Sequence, residues 1–70
     1  MYKNLKDVLY QERISLKQYG DILGITEKTV ANKLKGITDY TYPEFLKTCA
    51  LLSKYRADYL FAEHPDQQAS

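Results

Sequence analysis

Residues 15–36 of the chain read SLKQYGDILGITEKTVANKLKG, and within them Glu27, Lys28, Ala31, Asn32 and Lys35 recur at three- and four-residue intervals. On a helix that spacing gathers side chains on one side, because residues three and four apart lie one above the other. Val30 and Leu34 then point back into a core together with Ile25, and the polar ridge faces outward. Such a ridge suits a duplex major groove: lysine donates to guanine acceptors and asparagine pairs bidentately with adenine, each good bidentate contact giving about 1–3 kcal/mol of discrimination. Glu27, where it reaches a base, accepts from cytosine; otherwise it repels phosphate and serves only the helix dipole.

Two helices and a turn must position that ridge. Ser15 can accept from an unpaired amide of the first turn and so caps a helix over residues 16–23, which Gly24 ends in a left-handed conformation. Thr26 caps the next helix, with Glu27 in its first turn, and Gly36 stops it after Lys35. Gly20 lies four residues before the turn glycine, where the second helix approaches the first and a larger side chain would hold them apart.

Around this unit the patterning is helical throughout. Leu5, Val8 and Leu9 give residues 4–13 an apolar side, opposite Lys6, Asp7, Gln11 and Glu12. Residues 37–41 read as a loop. Pro43 then belongs at the first position of a fourth helix, capped by Thr41 or Tyr42, with Phe45, Leu46, Cys49 and Leu52 on its buried side. Residues 56–61 make one or two more turns, with Tyr59 and Leu60 folding back on the body. Of the tyrosines, Tyr19, Tyr40 and Tyr59 fall at interior positions, and Tyr2, Tyr10, Tyr42 and Tyr55 at the rim. No strand alternation or repeat is found. The expectation is an all-α compact bundle of four helices plus a short fifth, one domain over residues 1–62, and a flexible tail over residues 63–70 that contains His64.

Composition excludes much else. Seventy residues, 44% of them hydrophobic, close a single small core. With ten Lys and Arg against nine Asp and Glu, no polybasic tail advertises an anionic partner, so any basic surface must come from arrangement. One Cys and one His supply neither an internal disulfide nor a metal framework, and Cys49 reads as a small inward hydrophobe. No acid pair, oriented nucleophile or glycine-rich phosphate cradle is present, so no enzyme and no cofactor is expected. Apolar runs of about three residues fall far short of the roughly 20 that span a bilayer, and no secretory leader begins the chain, which together read as cytoplasmic.

In Gly20, Gly24, Thr26, the Thr29 and Val30 pair, Gly36, residues 43–52 and the terminal Asp58, Tyr59, Leu60 and Phe61, the chain resembles the Cro and lambda-type repressor (XRE-like) helix-turn-helix family. The likeness covers residues 4–61 and is nearest to small regulators of temperate phages of Gram-positive bacteria. It implies a lambda-repressor-like bundle with the helix-turn-helix at about residues 16–35. It also implies base reading by Glu27, Lys28, Asn32 and Thr38, and phosphate binding by Lys17, Gln18, Thr26, Lys33, Lys35 and Tyr42.

Four positions depart from the family's pattern. Many members carry Gln where this chain has Leu16, and Glu44 is expected to face the backbone side of a bound duplex. Where some members bury an Arg and Glu pair, Leu9 and Leu34 are expected to meet as an apolar contact, avoiding the desolvation of charges.

The partners so implied are a double-stranded DNA operator and a second copy of the chain, joined through Tyr55, Tyr59 or Phe61 of the last helix or only on DNA. A second class of function stands beside this one. The near-neutral charge, Leu16, Glu27 and Glu44 favour a module that occupies another phage repressor and masks or alters its DNA binding.

Overall fold

The computed structural model describes residues 1–63, and the reading of residues 64–70 as a frayed tail carrying His64 lies outside them. Five helices form in chain order: α1 (Lys3–Gln11), α2 (Leu16–Leu23), α3 (Glu27–Lys35), α4 (Tyr42–Leu51) and α5 (Ala57–Leu60). No strand occurs among the described residues, so the fold is all-α. The Cα radius of gyration is 11.4 Å, close to the roughly 11 Å of a folded chain this long.

Local chemistry sets the helix ends. Ser15, Thr26 and Thr41 each cap a helix by accepting from the amide three residues on, namely Gln18, Thr29 and Glu44. At Ser15 and Thr41 the bond is reciprocated, because the Gln18 and Glu44 side chains accept from the cap amides at 2.8 and 2.9 Å. Pro43 therefore follows Tyr42 inside α4, and the cap is Thr41. Gly24 and Gly36 close α2 and α3 at φ 78° and 85°. Helix α1 ends earlier than its apolar pattern suggests: Arg13 takes φ 59°, and the amides of Arg13 and Ile14 bond back to the Tyr10 and Leu9 carbonyls. That is the same terminating motif without a glycine.

The core comprises Leu5, Val8, Leu9, Tyr19, Leu23, Val30, Leu34, Leu52 and Leu60. Leu9 and Leu34 both lie in it, as the apolar reading requires. The first residues and the segment around α5 are tied to this body by polar bonds. The Tyr2 amide donates to the Leu34 carbonyl at 2.8 Å, Asn4 Nδ2 to the Tyr59 carbonyl at 3.0 Å, and the Tyr55 hydroxyl to Glu12 at 2.7 Å.

Helix α4 is turned from the face its apolar residues suggest: Leu52 is in the core as expected, but polar residues share the inward side. Glu44 and Thr48 are buried, Phe45 and Cys49 are half-buried, and Leu46 is 48% exposed. The helix turns its polar residues inward because partners await them. Thr48 Oγ1 lies 2.6 Å from the Tyr19 hydroxyl and donates to the Glu44 carbonyl at 2.9 Å. Tyr59 is likewise 47% exposed rather than interior, since Leu60 takes the inward position of the short α5. Tyr2 joins Tyr40 and Phe61 in edge-to-face contacts with centroids 5.5 and 5.6 Å away, so it packs inside the rim.

The nesting of α2 and α3 turns on one glycine. A Cβ on Gly20 would lie 2.7 Å from the Ile25 carbonyl oxygen and 3.3 Å from Val30 Cγ2, and the first neighbour is backbone that cannot swing aside. Gly20→Ala is expected to destabilise the domain by about 1–3 kcal/mol in urea unfolding, as overpacking does. An unchanged midpoint would mean that the approach has slack.

Candidate nucleic-acid interface

Helix α3 begins at the Thr26 cap and buries Val30, Lys33 and Leu34. The opposite side carries Glu27, Lys28 and Lys35, all exposed, with Ala31 and Asn32 half-exposed between them. Lys28, Asn32 and Lys35 stand at i, i+4 and i+7 and so project from one ridge. Neither Lys28 nor Lys35 makes an ion pair among the described residues. Each is left to interact with whatever meets that ridge.

The start of α2 borders the same region, since Leu16 shares a surface cavity with Ala31, Leu34 and Lys35. Lys17 and Gln18 are exposed on its first turn. Lys17 reaches Asp21 at 3.7 Å, with both side chains at least 70% open to solvent, a pairing too weak and too screened to hold the ammonium back from phosphate. Gln18 has its carbonyl oxygen committed to the cap of α2, leaving its amide group to donate. The Thr26 hydroxyl is exposed and shares a 2.9 Å contact with that of Thr29. Thr38 lies exposed in the loop beyond α3, and Tyr42 is exposed on the first turn of α4, stacked on Phe45.

Lys33 requires a correction. Expected among the phosphate partners, it is only 7% exposed, and its Nζ sits 2.9 Å from Glu44 Oε1. The ammonium also donates to the Asp39 carbonyl at 2.7 Å and lies 5.8 Å from the centre of the Tyr40 ring. Glu44, 9% exposed, accepts from Lys33 and from the Thr41 amide instead of confronting a duplex. Helix spacing carries the signal: Val30, Lys33 and Leu34 form an i, i+3, i+4 set, and Lys33 falls on the apolar side of α3.

The pair changes the role of Lys33 and the field around the ridge. Lys33 anchors the loop that carries Thr38, through Asp39, and joins α3 to the first turn of α4. One candidate phosphate ligand and one repelling carboxylate leave the surface together. Within residues 15–36, Lys17, Lys28 and Lys35 remain outward against Asp21 and Glu27, a mildly positive face. Among the described residues there is no group of three or more His, Cys, Asp or Glu side chains that would hold a metal ion. No helix among them is long and apolar enough to cross a membrane.

Burial by itself would raise the pKa of Glu44, but the Thr41 amide and the Lys33 ammonium outweigh it and hold the carboxyl below its ordinary value of 4.5. A depressed native pKa means that the ionised form stabilises the fold, in full above the unfolded value, with the contribution lost as pH falls through the native one. Glu44→Gln keeps the capping geometry but strands the buried Lys33, and is expected to cost about 3–5 kcal/mol at pH 7. Urea melts should show the wild-type advantage shrinking as pH falls below the ordinary value of 4.5. A pH-independent difference would contradict the pairing.

Comparison with known protein families, with curated proteins and with solved structures gives no match for this chain, so the geometry alone bears on its function.

Proposed function

We propose that the chain is a DNA-binding transcriptional regulator of the Cro and lambda-repressor kind, acting in a bacterial cytoplasm, with α3 entering the operator major groove. The observation that carries this reading is the division of α3. Val30, Lys33 and Leu34 are buried, while Lys28, Asn32 and Lys35 share the outward ridge with no competing ion pair on either of its lysines among the described residues. Lys28 and Asn32 are the base readers, joined by Glu27 where it meets a cytosine and by Thr38 from the loop. Lys17, Gln18, Thr26, Lys35 and Tyr42 hold phosphates, helped by the open amides at the starts of α2 and α3.

Two copies on a pseudo-palindromic operator would place their third helices about 34 Å apart, one helical turn of duplex. Of Tyr55, Tyr59 and Phe61, Tyr59 is the freest to make a contact between copies. Tyr55 is bonded to Glu12, and Phe61 packs against Tyr2, Tyr40 and Phe45. A contact that small suits assembly on DNA.

One observation favours the second class of function, a module that covers another repressor's DNA-binding face. With Lys33 internal, Lys28 and Lys35 stand against Glu27 on α3, so the ridge carries little surplus charge for a phosphate backbone. Random duplex at two salt concentrations separates the readings. Two cationic phosphate contacts, Lys17 and Lys35, predict a log–log salt slope of roughly −2 per copy, and complete absence of salt-dependent binding removes the regulator reading. On a duplex that the wild type retains, Lys28→Ala and Asn32→Ala should each weaken binding about tenfold or more with unchanged helical circular dichroism. Equal retention by both variants would defeat the assignment of base reading to α3.

A further inference from the structure

Three surface cavities run end to end along the seam between α1, the start of α2 and the second half of α3. Lys6 and Leu16 belong to the first and the second, and Tyr10, Ile14 and Ser15 to the second and the third. Sharing these residues, the three are neighbours along one trough-like seam. Under the first two cavities its floor is carbon: Leu34 and Leu9 are buried beneath it, and Leu16 and Ile14 are half-buried along it, while the third, lined by Gln11, Arg13 and Ser15 as well, is more polar. Tyr10, 85% exposed, stands as one wall.

The rim is charged with a single sign. Lys35 and Lys6 border the first cavity and Arg13 the third, all three exposed, and among the described residues no carboxylate lines any of the three cavities. The chain as a whole is close to neutral, at a formal +1, so this segregation of cations around an apolar floor is local. None of Lys6, Arg13 and Lys35 is held in an ion pair among the described residues.

We propose that this trough is a docking groove for an acidic amphipathic helix of a partner protein. The partner's apolar side chains cover Ile14 and Leu16, and its flanking carboxylates meet Lys6, Arg13 and Lys35. Charge complementarity fixes the sign of the partner, and the floor fixes its kind. A nucleic-acid backbone satisfies the rim but brings no apolar surface to cover Leu16. A flat anionic bilayer meets the cations but does not enter a concave trough. An amphipathic helix supplies both surfaces at once, with anchors at i, i+3, i+4 and i+7. The inference goes beyond the DNA reading and does not require it. It also gives a docked partner a consequence, because Ser15 and Lys35 border the trough, at the start of α2 and the end of α3.

The test uses the full chain and a labelled helical peptide with leucines at i, i+3, i+4 and i+7 and glutamates elsewhere, followed by fluorescence anisotropy. Salt-sensitive binding is expected. Leu16→Gln, which removes one floor side chain from a half-exposed position, should weaken it about tenfold. Lys6→Glu should weaken it severalfold, and both variants should keep the wild-type circular dichroism. The same peptide with serine for leucine, or lysine for glutamate, should bind at least about tenfold more weakly. Absence of binding by the acidic peptide, equal binding by Leu16→Gln, or equal binding of the lysine peptide would each overturn the proposal. So would a Leu16-dependent preference for phosphatidylglycerol vesicles or duplex DNA over the acidic peptide.

Discussion

The missing side chain at Gly20 is the constraint on which the rest of the molecule depends. Helix α3 has nine residues, too few to be stable as an isolated helix in water. It persists because Val30 and Leu34 are buried in the common core, and they reach it because α2 closes on the turn with no Cβ to hold it off. The same contact sets the rotation of α3. With Val30, Lys33 and Leu34 inside, helical geometry leaves Lys28, Asn32 and Lys35 no direction but outward. Stability and presentation of the ridge are one interaction seen from two sides.

A second interaction fixes the course of the chain beyond α3. The ion pair of Lys33 and Glu44 is buried, and in isolation such a pair is weak evidence for stability because desolvation offsets much of its Coulomb attraction. Here it is reinforced: Lys33 also donates to the Asp39 carbonyl and lies near the Tyr40 ring, and Glu44 Oε1 also accepts from the Thr41 amide. Its effect is on geometry. It ties α3 to the first turn of α4 and holds the intervening loop, while Tyr19 and Thr48 link α2 to α4 on the same polar seam. A core built of leucines alone would not have specified that orientation.

Sequence legibility tracks the range of the interactions. The caps at Ser15, Thr26 and Thr41 and the left-handed glycines at 24 and 36 are local chemistry, each complete within a few residues, and the helix boundaries of α2 and α3 are readable from them. Gly20 is readable because its spacing from Gly24 carries a steric reason. The inward face of α4 is not. Glu44 and Thr48 are buried only because Lys33 and Tyr19, 11 and 29 residues away in the chain, are placed to receive them. A hydrophobicity pattern sees an exposed polar residue wherever the partner is distant. Lys33 shows the limit most plainly: its helical position marks it as internal, but its charge marks it as a ligand.

The functional reading therefore rests on a ridge that the fold compels, with fewer cations than the sequence alone offers and fewer opposing carboxylates as well. In the proposed reading, specificity comes from Lys28 and Asn32 rather than from bulk charge. Selecting bound molecules from a pool of random duplexes tests that claim most directly. The account predicts enrichment of a two-fold symmetric site whose half-sites lie about one helical turn apart. Recovery of unenriched sequence, with all duplexes retained equally or not at all, would contradict it.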